Sequence, residues 1–330
     1  MATLRLFQVF LQQLFMVVVL SELAVDGQSL QVGFYRKTCP PAEAIIRNTT
    51  TPYILEDPSL AAPLLRVQFH DCFVRGCDGS VLLDSTENNE TEKASGPNQS
   101  LRGFHVIDAV KAAVEEACPG VVSCADILAL VVRDAVFMLK GPFWEVPTGR
   151  RDGRVSIDSE ITENLPPPSS NITRLKTSFK SKGLSTKDLV VLSGAHTIGR
   201  SHCSIFSDRL YNFSGRGDTD PSLDPKYAIK LKKKCKRGDV TTVVELDPGS
   251  FKTFNKDYYK VVAEGRGIFQ SDAALLDDNE TRDYVISQAA SAVSSTFLKD
   301  FAEAMINLGN IGVITGTEGE IRKRCAFVNF

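Results

Sequence analysis

Apolar residues recur at three- and four-residue spacing along most of this chain. Phe104, Ile107, Val110 and Val114 form one stripe, and Phe297, Phe301, Met305 and Leu308 form another, as in helices with one face turned to a core. Ser123 with Asp126 reads as a capping box ahead of Ile127-Leu128-Ala129-Leu130, in a helix that Gly141 is expected to stop. Asn171 and Gly183 bracket another helix. Ser185 and Asp188 cap a short one that runs through Leu192 and halts near Gly194. Strand-like alternation is scarce, and no internal repeat is visible. The proline-rich piece Leu165-Pro166-Pro167-Pro168 is the best internal boundary. The pattern predicts a mainly α protein with long loops and two lobes.

The N-terminus departs from this pattern. Arg5 precedes an apolar stretch ending Leu14-Phe15-Met16-Val17-Val18-Val19-Leu20, and Val25-Asp26-Gly27 fits a cleavage site. Residues 1–27 read as a secretory signal peptide, leaving residues 28–330 as the folded domain. A membrane anchor is the alternative, but Gln12 and Gln13 cut the apolar run below spanning length. The 330 residues carry 38 Lys plus Arg against 40 Asp plus Glu, a net charge of -2, so nucleic acid is not the expected partner. At 43% hydrophobic and 24% charged, the composition excludes disordered and fibrous classes.

The eight cysteines, Cys39, Cys72, Cys77, Cys118, Cys124, Cys203, Cys235 and Cys325, all lie after the cleavage site. In an oxidising compartment they predict four disulfides, whose pairing the count alone leaves open. Asn-x-Ser/Thr sequons at Asn48, Asn89, Asn98, Asn171, Asn212 and Asn279 agree with a secreted glycoprotein.

The densest chemistry lies between Arg66 and Ser80. Arg66 and His70 are four apart, so a helix projects both from one face, and Pro63 places the start of that helix nearby. A fixed cation beside a neutral imidazole lowers the imidazole pKa and keeps it available as a base. An Arg-x-x-x-His pair alone also fits an ordinary solvated face. Beyond it, Asp71, Asp78 and Ser80 with Gly76 and Gly79 offer the oxygen ligands of a hard cation in a short loop. Cys72 and Cys77 can pin that loop by a disulfide or hold zinc, and the oxidising compartment favours the disulfide.

Arg66-x-x-Phe69-His70-Asp71-Cys72 followed by Gly-Cys-Asp-Gly-Ser resembles the distal motif of the plant secretory (class III) haem peroxidases. The run Asp188-Leu-Val-Val-Leu-Ser-Gly-Ala-His196-Thr-Ile-Gly199 is similar to their proximal motif. The similarity runs from Phe34-Tyr35 to Cys325. It implies a mainly α haem peroxidase fold, with two helical lobes sandwiching haem b. The distal lobe would span about residues 28–165 and the proximal lobe about 166–310, with the C-terminal tail returning. It implies His196 as axial iron ligand with Asp272 as its carboxylate partner. His70 would be the distal acid–base, Arg66 the distal cation, Asn98 the amide that orients His70, and Phe69 a residue beside the haem. Pro166 would lie beside the aromatic-donor site.

The same resemblance implies disulfides Cys39–Cys118, Cys72–Cys77, Cys124–Cys325 and Cys203–Cys235, and two Ca²⁺ ions. The distal ion would take Asp71, Val74, Gly76, Asp78 and Ser80. The proximal one would take Thr197, Asp247, Ser250, Thr253 and Asn255. Asn255 stands where the family usually has Asp, so the proximal ion should bind more weakly. Asn98 lies in a sequon, and its orienting role requires it to be buried and unmodified. Asp126 and Arg150 would form a structural ion pair, while Trp144 reads as core, and His105 and His202 as structural or surface residues.

The function implied is a secreted, monomeric cell-wall peroxidase acting on H2O2 and small phenolic donors through a ferryl intermediate, with no membrane partner. The competing reading is a non-catalytic secreted Ca²⁺- or haem-binding glycoprotein on the same fold. Lys230, Lys232, Lys233, Lys234, Lys236 and Arg237 form a basic run, an ordinary solvated face or a docking surface for acidic cell-wall polysaccharide.

Overall fold

The computed structural model describes residues 29–87 and 89–329, so the expected signal segment 1–27 lies outside the described residues. The first half carries α1 (Ala42–Glu56), α2 (Ala61–Val74), α3 (Phe104–Ala117), α4 (Cys124–Met138) and the short α5 (Glu160–Asn164). The second carries α6 (Ile172–Ser181), α7 (Thr186–Ser193), α8 (Ser207–Tyr211), α9 (Pro225–Lys234) and α10 (Asp257–Ala263). It ends with α11 (Gln270–Ala273), α12 (Asn279–Ala290) and α13 (Ser295–Gly309). Among the described residues, strands are limited to two antiparallel pairs. β1 (Gln31–Val32) sets Gln31 opposite Thr148 of β2 (Pro147–Thr148), and β3 (Arg200–His202) sets Ser201 opposite Val244 of β4 (Val243–Glu245).

The apolar stripes face inward. Phe297, Phe301, Met305 and Leu308 of α13 are buried, as are Ile107, Val110 and Val114 of α3, whereas Phe104 is half-buried at the helix start. Helix α1 packs on α3 and α4, and α2 on α4. In the second half, α7 packs on α12 and α13, and α10 on α12. A continuous apolar core runs through both groups, with Trp144 edge-on to Phe301 inside it. A smaller cluster around Leu210, Leu223 and Leu231 sits beside the Cys203–Cys235 bridge.

Local signals explain several helix starts. Asn171 Oδ1 accepts the Arg174 N–H at 2.9 Å. Ser185 and Asp188 exchange both bonds of a capping box, at 3.0 and 2.9 Å. Two expectations are corrected. Ser123 Oγ accepts the Asp126 N–H at 3.1 Å, but the Asp126 carboxylate does not return to Ser123. It is buried and taken up by Arg150 Nη1 at 2.7 Å, the Gly149 N–H at 2.6 Å and Tyr35 Oη at 2.7 Å. Stranding either buried charge of this pair would cost about 3–5 kcal/mol, more than a cap contributes. Helix α4 ends at Met138, and the left-handed residue there is Lys140 (φ 69°), not Gly141. Gly141 instead donates to the Val136 carbonyl at 3.0 Å, in a space where a Cβ would lie 2.4 Å from the Val136 side chain.

Pro63 sits in the first turn of α2, where its missing N–H has no intrahelical partner to lose. The four disulfides pair as the resemblance implies: Cys39–Cys118, Cys72–Cys77, Cys124–Cys325 and Cys203–Cys235. After α13 the chain returns to the first half, where Glu320 pairs with Asp152 and Cys325 meets Cys124. Among the described residues no helix is long and apolar enough to cross a membrane.

Candidate active site

Helix α2 places Arg66 and His70 one turn apart, and the loop from Glu92 to Ser100 closes over them. Arg66 Nε donates to His70 Nε2 at 3.1 Å, while its two Nη atoms donate to Ser100 Oγ at 2.8 Å and the Pro97 carbonyl at 2.7 Å. The Asn98 amide donates through Nδ2 to the Glu92 carbonyl at 2.8 Å. Its Oδ1 therefore faces His70 Nδ1, 2.5 Å away, which must carry the proton. This leaves the lone pair of His70 on Nε2. Burial, reinforced by the Arg66 charge, pushes the His70 pKa down to about 3, against the opposing pull of Asn98. Burial also lowers the Arg66 pKa to about 10, still a cation at neutral pH. Asn98 is 1% exposed and its amide nitrogen is engaged, as expected of an unmodified sequon.

Phe69, half-buried, lies 5.9 Å from the His70 ring and 4.3 Å from Phe73, and Phe73 packs on Phe179 of α6. Below His70 the chain gathers negative charge. Asp71 accepts the Gly79 and Val81 N–H groups, and Asp78 accepts that of Ser80 at 2.9 Å. Burial raises the pKa of both carboxyls, and for Asp71 the neighbouring Asp78 and Glu92 add to the effect. Glu92 went unnoticed in the sequence. It is 0% exposed, neither carboxylate oxygen has a partner, and burial pushes its pKa up to about 8. The Ser80 hydroxyl is likewise buried without a partner. A cluster of buried acids, one of them without a partner, and an idle hydroxyl suit a divalent cation. Among the described residues no three His, Cys, Asp or Glu side chains converge as a metal site, so carbonyls must complete the shell. Gly76 (φ 102°) lies against Gly312, where a Cβ would come within 2.4 Å of the Gly312 carbonyl. The loop is thereby docked on the segment after α13.

The second imidazole lies just past α7. His196 Nδ1 donates to Asp272 Oδ1 at 2.8 Å, and its half-exposed ring engages no described residue through Nε2. That donor set fits an axial metal ligand. Although burial pushes the Asp272 carboxyl upward, the His196 contact and three hydrogen bonds hold it below the usual range. Phe269 N–H and Tyr258 Oη also donate to Asp272, at 2.9 Å each. Asp272 thus caps α11 from within its first turn rather than preceding it.

The proximal cation set is only partly drawn together. Thr197 Oγ1 donates toward Asn255 Oδ1 at 3.1 Å and lies 3.3 Å from Asp247 Oδ2, while Asn255 Nδ2 donates to Ser250 Oγ at 2.8 Å. Thr253 joins Ser250 through the backbone. Burial, with Asp257 nearby, raises the Asp247 pKa to about 6. Pro166 lines an open cavity of about 500 Å³ with Glu163, Asn164 and Arg174, and Arg66, Phe69 and His196 are not among its walls. His105, against the Tyr53 ring, and His202, on β3, are exposed.

A profile of the family described as Peroxidase matches residues 46–291. The chain is 57% identical to Peroxidase 27 of Arabidopsis thaliana over 316 residues, 96% of this chain and 97% of that one. It is 58% identical to Peroxidase 56 of the same plant over 302 residues, covering 92% and 91% of the two chains. With Peroxidase 1 of Oryza sativa subsp. japonica the identity is 55% over 317 residues, covering 94% and 97%. With that identity along nearly its whole length, the chain belongs to the peroxidase family as a class III plant peroxidase.

Proposed function

We propose that this peroxidase works through haem b held at His196, with His70, Arg66, Asn98 and Asp272 as its working side chains. The observation that carries this reading is the pair of imidazoles, each donating its Nδ1 proton to a side-chain oxygen and so keeping its lone pair on Nε2. The haem, when bound, would supply the two-electron reduction of peroxide, balanced by two successive one-electron oxidations of donor molecules.

On the distal side, His70 Nε2 takes a proton from one peroxide oxygen and returns it to the other, which leaves as water. Asn98 keeps Nδ1 protonated, so that Nε2 is the basic atom throughout. Arg66 stays charged and offsets the negative charge that builds as the O–O bond breaks. Phe69 shades this space from water. On the proximal side, Asp272 withdraws the Nδ1 proton of His196 and makes Nε2 a stronger electron donor. No observation favours the non-catalytic glycoprotein reading.

The distal Ca²⁺ would rest on Asp71, Val74, Gly76, Asp78 and Ser80, neutralising buried acids that backbone N–H groups alone hold. The proximal Ca²⁺ would rest on Thr197, Asp247, Ser250, Thr253 and Asn255, more weakly, because Asn255 gives one uncharged oxygen. Small phenolic donors would be oxidised at the haem edge near Pro166. Residues about 28–165 and 166–310 would form the distal and proximal lobes. The N-terminal segment 1–27 supports secretion to the cell wall, where the enzyme would act as a monomer. Exposed Lys230, Lys233, Lys234, Lys236 and Arg237, on and just after α9, support docking to acidic polysaccharide.

Three outcomes are expected. Purified holoprotein has a Soret band that H2O2 shifts; His70→Ala keeps the band but slows the peroxide step by about 10²–10⁴-fold in stopped flow. A His70→Ala enzyme as fast as the wild type would refute the distal assignment. Asn255→Asp tightens the weaker of two Ca²⁺ binding events in calorimetric titration, and an unchanged isotherm would remove Asn255 from the site. Binding to polygalacturonate falls steeply with salt, and no retention even at low ionic strength would dispose of the docking surface.

A further inference from the structure

Tyr258 is the second side chain on the oxygen that His196 uses. It lies in the first turn of α10, is 1% exposed, and its hydroxyl has one partner, Asp272 Oδ1 at 2.9 Å. His196 Nδ1 reaches that same oxygen at 2.8 Å. The Tyr258 and His196 rings meet edge to face, with centroids 5.9 Å apart. The other carboxylate oxygen, Oδ2, accepts the Phe269 N–H at 2.9 Å. Asp272 is therefore buried beneath three donors, and two of them draw on one atom.

A phenol next to a buried carboxylate has two ways to ionise. Burial, the Asp272 charge and the hydrogen bond to it all push the Tyr258 pKa well up, so the hydroxyl keeps its proton and acts only as a donor. A carboxylate oxygen that accepts from two donors offers less charge to each. Conversely, a buried carboxylate deprived of one donor holds more charge for those that remain.

We propose that Tyr258 is a positioning residue that sets how strongly Asp272 withdraws the Nδ1 proton of His196, and so how electron-rich the axial Nε2 becomes. The proposal rests on His196 being the iron ligand. Tyr258 touches neither iron nor substrate in this role; it acts through the shared oxygen. Its neighbour Tyr259 provides the internal comparison. Tyr259 is equally buried in the same helix, but its hydroxyl donates to the Val190 carbonyl at 3.1 Å and leaves Asp272 alone.

The test is resonance Raman spectroscopy of the ferrous holoenzyme, reading the iron–histidine stretch, together with the ferric/ferrous midpoint potential. Tyr258→Phe keeps the ring and removes the donor. The stretch should move to higher frequency and the potential to a more negative value, while Tyr259→Phe leaves both in place. 3-Fluorotyrosine at position 258, a stronger donor of nearly the same shape, should move both the opposite way. It reads the same contact if Tyr258→Phe fails to take up haem. A histidine-ligated band that stays put in both Tyr258 variants, or that Tyr259→Phe moves equally, would overturn the inference alone. Absence of that band from the wild-type spectrum would overturn the axial assignment and this inference with it.

Discussion

The Asn98 side chain has two ends, and both are committed. Its Nδ2 donates to the Glu92 carbonyl, so only Oδ1 remains to meet His70 Nδ1, and the His70 proton must sit there. The lone pair on Nε2 and the pointing of Arg66 toward it follow from that arrangement, while burial and the Arg66 charge keep the imidazole neutral. A carboxylate in place of the amide would favour imidazolium and abolish the base. An apolar residue would leave Nδ1 unpaired in a buried site, at a cost of about 1–3 kcal/mol. The amide fixes orientation and tautomer without adding charge.

The supports of this contact extend well beyond it. Glu92 contributes its carbonyl to Asn98 while its carboxylate lies unpaired near Asp71 and Asp78, so one residue joins the Arg66–His70 pair to the candidate cation loop. That loop is closed by Cys72–Cys77 and pressed through Gly76 onto Gly312, the segment leaving α13. On the other imidazole the logic is inverted. Asp272 is a full charge, held by three donors, and it accepts the Nδ1 proton of His196 where the uncharged Asn98 oxygen accepts that of His70.

What the sequence made legible was mostly local. Caps at Asn171 and Ser185 and the inward stripe of α13 depend on residues within a turn or two of each other. The Ser123 box was half right because Asp126 found a buried guanidinium 24 residues away, which outweighs a cap. Gly141 was read as a conformational stop, but its role is a close approach to Val136 that spacing cannot reveal. The site residues His70, Arg66, His196 and Asp272 were placed by motif. Glu92 and Tyr258 were not found, because their importance lies in which atoms they face across the fold. An acid among other polar residues and a tyrosine in a Tyr-Tyr pair carry no local mark of that.

His70 is a neutral imidazole with its proton on Nδ1. Nitrogen-15 NMR of the histidine rings between pH 4 and 8 tests it directly. His70 should keep a protonated Nδ1 and an unprotonated Nε2 across the whole range. Titration of His70 near the ordinary histidine value of about 6.5, or a proton on Nε2 at neutral pH, would contradict it.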